Sequence, residues 1–252
     1  MSICILTIPE NYYLLYAANK IGAICNYVAV NNSIDEIKKR ILSTNSKFVF
    51  TVNLVENNVV EAVGDNADIR MVLIPLSTSM PFPIALLVNA KSKKKPSERV
   101  STWKEFLKSG RGVTCKAEPG DGDAPAIIEY TSGTTGDSKG VLHLNRTANQ
   151  LAFNYTNLGV LLPFDKKDKF LNILPPFVAY GIFVGTHMPI CLGMEVCLSP
   201  NPDPVAVMKD FLKYKPNHFT ASPVHINALV ENRKMYKMNL SFLCGACSGS
   251  WS

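Results

Sequence analysis

Apolar positions along the chain switch repeatedly between a spacing of three to four residues and strict alternation, the periods of amphipathic helices and half-buried strands. Residues 9–22 read as a helix, with Pro9 at its start and Gly22 at its end. A strand follows over 25–30. Residues 33–42 form a second predicted helix, capped by Ser33, with Glu36 three residues on to complete a capping box. A strand over 47–52, a helix over 55–63 and a strand over 69–74 continue the alternation. Residues 101–108 read as a short helix that Gly110 ends. The charged, Gly-rich stretch 118–123 is a turn leading into a strand over 126–130. Downstream, helices near 145–158, 178–190, 202–213 and 222–232 alternate with strands near 169–174, 194–198, 217–220 and 240–244. Short strands between longer helices predict an α/β fold of layered, mostly parallel β-sheets flanked by helices. Neither an internal repeat nor a linker interrupts the pattern.

Composition changes this picture little. The 252 residues are 47% hydrophobic, enough for a substantial core, and only 18% charged. The formal charge is +6, and much of the local excess sits in Lys91-Ser-Lys-Lys-Lys-Pro-Ser-Glu-Arg99. Pro96 and the serines break this stretch and no aromatic residue interleaves with it, so it reads as a solvated loop and no nucleic-acid partner is expected. The longest apolar region, 71–90, is interrupted by Pro75, Pro81 and Pro83 and predicts no membrane span. The seven cysteines are odd in number and scattered, and no secretory signal precedes them. Reduced thiols and a cytoplasmic location are expected.

The chemistry concentrates in one segment. The strand ending Ile127-Ile-Glu-Tyr130 runs into Thr131-Ser-Gly-Thr-Thr-Gly-Asp-Ser-Lys-Gly140. Gly133 and Gly136 permit positive φ and close approach of the backbone to a ligand. Thr131, Ser132, Thr134 and Thr135 offer hydroxyls, successive amides can form an anion nest, and Lys139 adds a point charge. These groups suit a polyphosphate. The spacing is not that of a Walker loop, because Ser138 precedes and Gly140 follows the lysine, and it also fails the dinucleotide-binding glycine pattern.

This segment resembles the signature loop of the adenylate-forming superfamily: acyl-CoA synthetases, aryl-CoA ligases, luciferases and peptide-synthetase adenylation domains. Ser138 stands where the family usually has proline. Three other segments resemble the family in order and spacing: Tyr16-Ala-Ala-Asn-Lys-Ile-Gly-Ala23 before Tyr27-Val-Ala-Val30, Leu174-Pro-Pro-Phe-Val-Ala-Tyr-Gly181, and Leu243-Cys-Gly-Ala-Cys-Ser-Gly249. The resemblance therefore spans nearly the whole chain.

It implies that residues 1–252 are part of the large AMP-binding domain of such an enzyme, without its beginning, its C-terminal part or the small C-terminal domain that carries the catalytic lysine. The implied reaction is ATP-dependent activation of a small-molecule carboxylic acid as acyl-AMP, with transfer to coenzyme A; Mg²⁺ would accompany ATP. By position, Thr131, Ser132, Gly133, Thr134, Thr135, Gly136 and Lys139 would hold the phosphates, with Thr134 helping to place Mg²⁺. Gly245 and Ala246 would lie along the adenine. Tyr180 would line the acyl pocket, although a buried helix face would suit it equally. Val178 stands where many members have histidine. The isolated chain is expected to be inactive and to self-associate through exposed sheet edges. A non-catalytic nucleotide-binding or scaffolding protein that retains the loop is the alternative.

Other candidates are weaker. Cys244-Gly-Ala-Cys247 could be a redox dithiol or half a zinc site, but no second ligand pair has matching spacing. The four histidines follow no metal motif, and no nucleophile elbow is present.

Overall fold

The computed structural model describes the chain except residues 81, 92–96, 132–137, 158–163, 166, 234 and 250–252. It divides into two compact units, Met1–Asn145 and Arg146–Ser252. No compositional break marks this boundary, because Asn145 both follows a strand and opens a helix.

The first unit runs β1 (Ser2–Cys4), α1 (Pro9–Lys20), β2 (Cys25–Tyr27), α2 (Ile34–Ser43), β3 (Phe48–Val52), α3 (Glu56–Val63), β4 (Arg70–Ile74), α4 (Phe82–Lys91), β5 (Val100–Thr102), α5 (Trp103–Ser109), β6 (Pro125–Thr131) and β7 (Lys139–Leu144). The described strands form a seven-stranded sheet in the order β5-β4-β3-β1-β2-β6-β7. Every pairing is parallel except β6 with β7. Strands covered on both faces need apolar side chains in both directions. Ile3, Val49, Phe50, Val72 and Leu73 accordingly lie in the core. Aromatic edges close one side, where the Phe106 ring meets Phe50 at 5.2 Å between centroids.

The second unit contains α6 (Asn145–Asn157, its first residue across the boundary), β8 (Lys169–Asn172), a π-helical segment Tyr180–His187, α7 (Met188–Cys191), β9 (Glu195–Leu198), α8 (Pro204–Tyr214), β10 (His218–Ala221), α9 (Pro223–Val230) and β11 (Gly245–Ser248). Its four described strands are all parallel, in the order β11-β10-β8-β9. Leu171, Val207, Phe211 and Phe219 form the centre of its core. Asp203 caps α8 by accepting from the amides of Val205 and Ala206, and Pro204 occupies the first turn, where its missing N–H costs nothing.

The α/β architecture of mostly parallel sheets is as the periodicity predicts, and the local differences have identifiable causes. Residues 240–244 are a turn, closed by the Leu243 amide on the Leu240 carbonyl, and the strand starts only at Gly245. Residues 82–91 form a helix that the prolines conceal; Pro83 falls in its first turn, where proline is tolerated. Of the helix predicted near 178–190, Tyr180–His187 winds as a π-helix and Met188–Cys191 follows as α7. The predicted capping box of α2 is half made. Ser33 accepts from the Glu36 amide, but the Glu36 carboxylate reaches forward to Arg40 instead of back to the cap. The complete capping box is Thr102 with Glu105, at the start of α5. No helix among the described residues is long and apolar enough to cross a membrane.

Two glycines fix the π-helical segment. A Cβ on Gly181 would collide with the Pro175 carbonyl oxygen, and one on Gly185 would lie 2.5 Å from Asn172 Oδ1. Gly181→Ala is therefore expected to destabilise the protein by at least about 1–3 kcal/mol, the usual cost of overpacking. Urea unfolding of the purified variant reads this as a lower midpoint at unchanged slope.

Candidate functional site

Parallel strands place all their carboxyl ends on one edge of a sheet, and the glycine- and hydroxyl-rich segment leaves the first sheet from that edge, at the end of β6. The antiparallel partner β7 brings the chain straight back, with Tyr130 opposite Gly140 and Thr131 opposite Lys139. Thr131 and Lys139 thus form the last rung of the ladder and are both exposed. Ser132, Gly133, Thr134, Thr135 and Gly136 lie outside the described residues. The ladder itself was not read from the sequence, where residues 139–144 gave no strand signal: Val141 and Leu142 are apolar neighbours and do not alternate with polar residues.

A residue that sequence reasoning missed anchors this hairpin. Arg40, on α2, is 9% exposed. Its guanidinium carbon sits 4.2 Å from the centroid of the Tyr130 ring. One terminal nitrogen donates to Ser138 Oγ at 3.0 Å and to Glu36 Oε2 at 2.9 Å. A charge this buried is tolerated because a carboxylate, an aromatic face and a hydroxyl surround it. Ser138, directly before Lys139, is the residue Arg40 grips. Burial raises the Tyr130 phenol above its ordinary value, opposed by hydrogen bonds with Ser43 and Asn26 and by the Arg40 charge. A cleft of about 340 Å³ opens here, lined by Lys39, Arg40, Thr44, Tyr130, Ser138 and Gly140. The available signal was the helical period of α2, which places Arg40 on the same buried face as Ile37 and Ile41.

Glu129, two residues before Thr131, is 3% exposed, and neither carboxylate oxygen has a hydrogen-bond partner. Burial raises its pKa from 4.5 to about 8, so it is a neutral acid at pH 7.

The remaining predicted residues lie in the second unit. Tyr180 packs against both of its apolar clusters, one around Leu171 and Phe219, the other around Phe170 and Met188. Its hydroxyl is closed off from solvent without a well-formed hydrogen bond, beside the Cys247 thiol. Burial and that thiol raise its ionisation above the ordinary tyrosine value. Gly249, just past β11, is close to the same ring: a Cβ there would lie 3.3 Å from Tyr180 Cε1. Val178 is half-buried and opens the π-helical segment, its carbonyl accepting from the amides of Gly181 and Ile182. Gly245 and Ala246 lie within β11, not in the turn that follows it. Ala246 borders an apolar cavity of about 290 Å³ together with Phe211, Phe219, Leu229 and Leu243. The structure thus gathers Tyr180, Cys247 and Gly249, and it sets Gly245 and Ala246 earlier along the strand. All seven cysteines are free thiols.

Solved structures share the fold. A red-emitting luciferase from Phrixothrix hirtus superposes with a TM-score of 0.79 at 17% identity, over 99% of this chain and 45% of that one. A fatty acyl CoA synthetase of Mycobacterium tuberculosis gives 0.71 at 16% identity, over 96% and 42%. The fold is that of the N-terminal domains of adenylate-forming enzymes. A family model described as AMP-binding enzyme matches residues 1–251, and the chain belongs to that family. Among curated relatives, a long-chain-fatty-acid–CoA ligase of Bacillus subtilis (strain 168) is 34% identical over 130 residues, which is 50% of this chain and 22% of the relative. An acetyl-coenzyme A synthetase of Gamma-proteobacterium EBAC31A08 is 30% identical over 172 residues, 65% of this chain and 25% of the relative. The chain thus spans about a quarter or less of the length of these two relatives.

Glu129 makes the stability of the fold depend on pH in a direction opposite to the usual carboxylate. The folded chain keeps a proton between pH 4.5 and about 8 that the unfolded chain releases. Its contribution to stability is therefore full below that window and falls as pH rises through it, by up to about 1.4 kcal/mol per pH unit. Glu129→Gln, which stays neutral, is expected to flatten the dependence. Chemical unfolding of both proteins at several pH values across the window measures the difference.

Proposed function

We propose that the protein carrying this chain activates a carboxylic acid as its acyl-adenylate at the expense of ATP and passes the acyl group to coenzyme A. The observation that carries this reading is the β6–β7 hairpin, which holds Thr131 and Lys139 side by side at the carboxyl edge of a parallel sheet, within a chain of the AMP-binding family. Support comes also from its relatives, a long-chain-fatty-acid–CoA ligase and an acetyl-coenzyme A synthetase.

The chemical difficulty is to bring a carboxylate against an α-phosphate that is itself anionic, in line with its leaving pyrophosphate. Lys139 supplies positive charge beside the phosphates, and Thr131, Ser132, Gly133, Thr134, Thr135 and Gly136 supply hydroxyls and amides around them. Arg40 works from behind the hairpin: its grip on Ser138 and Tyr130 keeps Lys139 in register without touching the nucleotide. Thr134, with its hard oxygen donor, is assigned to Mg²⁺. Tyr180 and Val178 line the acyl side, and Gly245 and Ala246 contribute to the adenine side.

Acid-dependent exchange of labelled pyrophosphate into ATP, run with a panel of acids on the full-length protein, tests this. Lys139→Ala is expected to lower the exchange rate by about 10²–10³-fold, the scale of losing one preorganised electrostatic contact to a developing charge. Nucleotide binding without exchange for any acid would instead identify a binding or scaffolding protein.

A further inference from the structure

We propose that Asp168, His218 and Cys244 form a site for one divalent ion of the zinc class, at the end of the second sheet opposite the Tyr180–Gly249 cluster. The three residues stand at the amino ends of three adjacent parallel strands. His218 opens β10 and lies opposite Phe170 of β8 and Gly245 of β11, so Asp168 and Cys244 immediately precede the two neighbouring strands. The sheet register itself therefore gathers one oxygen, one nitrogen and one sulfur donor.

Their potential ligand atoms all lie within 4.8 Å of one another, and Asp168 Oδ2 is 2.8 Å from His218 Nε2. An ion bound at about 2.0–2.3 Å to each donor needs separations of roughly this size, so side-chain adjustments of an ångström or less complete the set. Two of the donors are already held. Asp168 Oδ2 accepts from the Asp165 amide at 2.9 Å, and the His218 ring, 4% exposed, packs on Phe164 with centroids 4.9 Å apart. The third is accessible: Cys244 is exposed, and its thiol makes only a long contact of 3.8 Å to the Phe242 carbonyl. Three protein ligands with an open outer face leave a fourth position for water. A mixed thiolate, imidazole and carboxylate set favours zinc, cobalt or cadmium over magnesium or calcium. Cys247 has no part in it, because three residues along β11 its thiol lies beside Tyr180. The pair that the sequence offers as one chelating motif is thus divided between two places. A bound ion would brace the edge strand β11 to β10 and β8.

Titration of the metal-free chain with Co²⁺ under reducing conditions tests the site. Expected are a near-ultraviolet thiolate-to-cobalt charge-transfer band and visible bands of four-coordinate cobalt, saturating at one ion per chain and displaced by Zn²⁺. Cys244→Ser removes the charge-transfer band, whereas Cys247→Ser retains it. Asp168→Asn weakens Co²⁺ binding by at least about 10-fold, the lower end of what losing even an indirect metal partner costs. Cys244 is exposed, so its variant keeps the fold, which far-ultraviolet circular dichroism checks. A titration with no charge-transfer band, or a band that survives Cys244→Ser, overturns the proposal and leaves Asp168 and His218 as an ordinary hydrogen-bonded pair.

Discussion

Parallel strand pairing is the constraint on which the rest of this structure depends. A strand that must run beside its neighbour in the same direction has to be reached by a crossover, here usually a helix, and every carboxyl end then falls on one edge. In the first unit that edge receives the end of β6 and the segment after it. In the second it receives the end of β11, next to Tyr180. The opposite edge of the second sheet collects Asp168, His218 and Cys244 by the same rule. Neither collection needs residues that are near in sequence; Asp168 and Cys244 meet only because β8 and β11 flank β10.

Among the described residues the one exception to parallel pairing is β6 with β7. An antiparallel return sets the chain beside the strand it has just left, with Tyr130 opposite Gly140 and Thr131 opposite Lys139. Arg40 then couples this hairpin to the helix behind it. Its hydrogen bond to the Ser138 hydroxyl ties the stem of the hairpin to a buried guanidinium.

The alternation of strands and helices was legible in the sequence, because buried parallel strands such as β3 and β4 are nearly continuous apolar runs bounded by turn residues. The glycine- and hydroxyl-rich segment stands out in the sequence by its residue types, and of it the structure describes Thr131, Ser138, Lys139 and Gly140. What escaped was non-local. Nothing near Arg40 in sequence says that its charge will lie over Tyr130, ninety residues away in the chain. The start of β11 was misplaced because Leu240, Phe242 and Leu243 are as apolar as a strand, yet they cover the Phe211 and Phe219 cluster from a turn. Glu129 sits in the strand that the sequence predicts over 126–130. Its burial became apparent only once β2 and β7 stood on either side of β6.

That buried acid also bears on the field around the segment it precedes. An ionised carboxylate two residues before Thr131 would set a negative charge against any polyanion arriving at the strand end. Enclosure in the sheet keeps Glu129 protonated at neutral pH, so β6 presents no opposing charge there. The same side chain, moved to the surface, would lose its proton and repel a polyanion. Local polarity at this edge is therefore set by how deeply one side chain is packed, and the sign of the potential cannot be counted from the letters of the sequence alone.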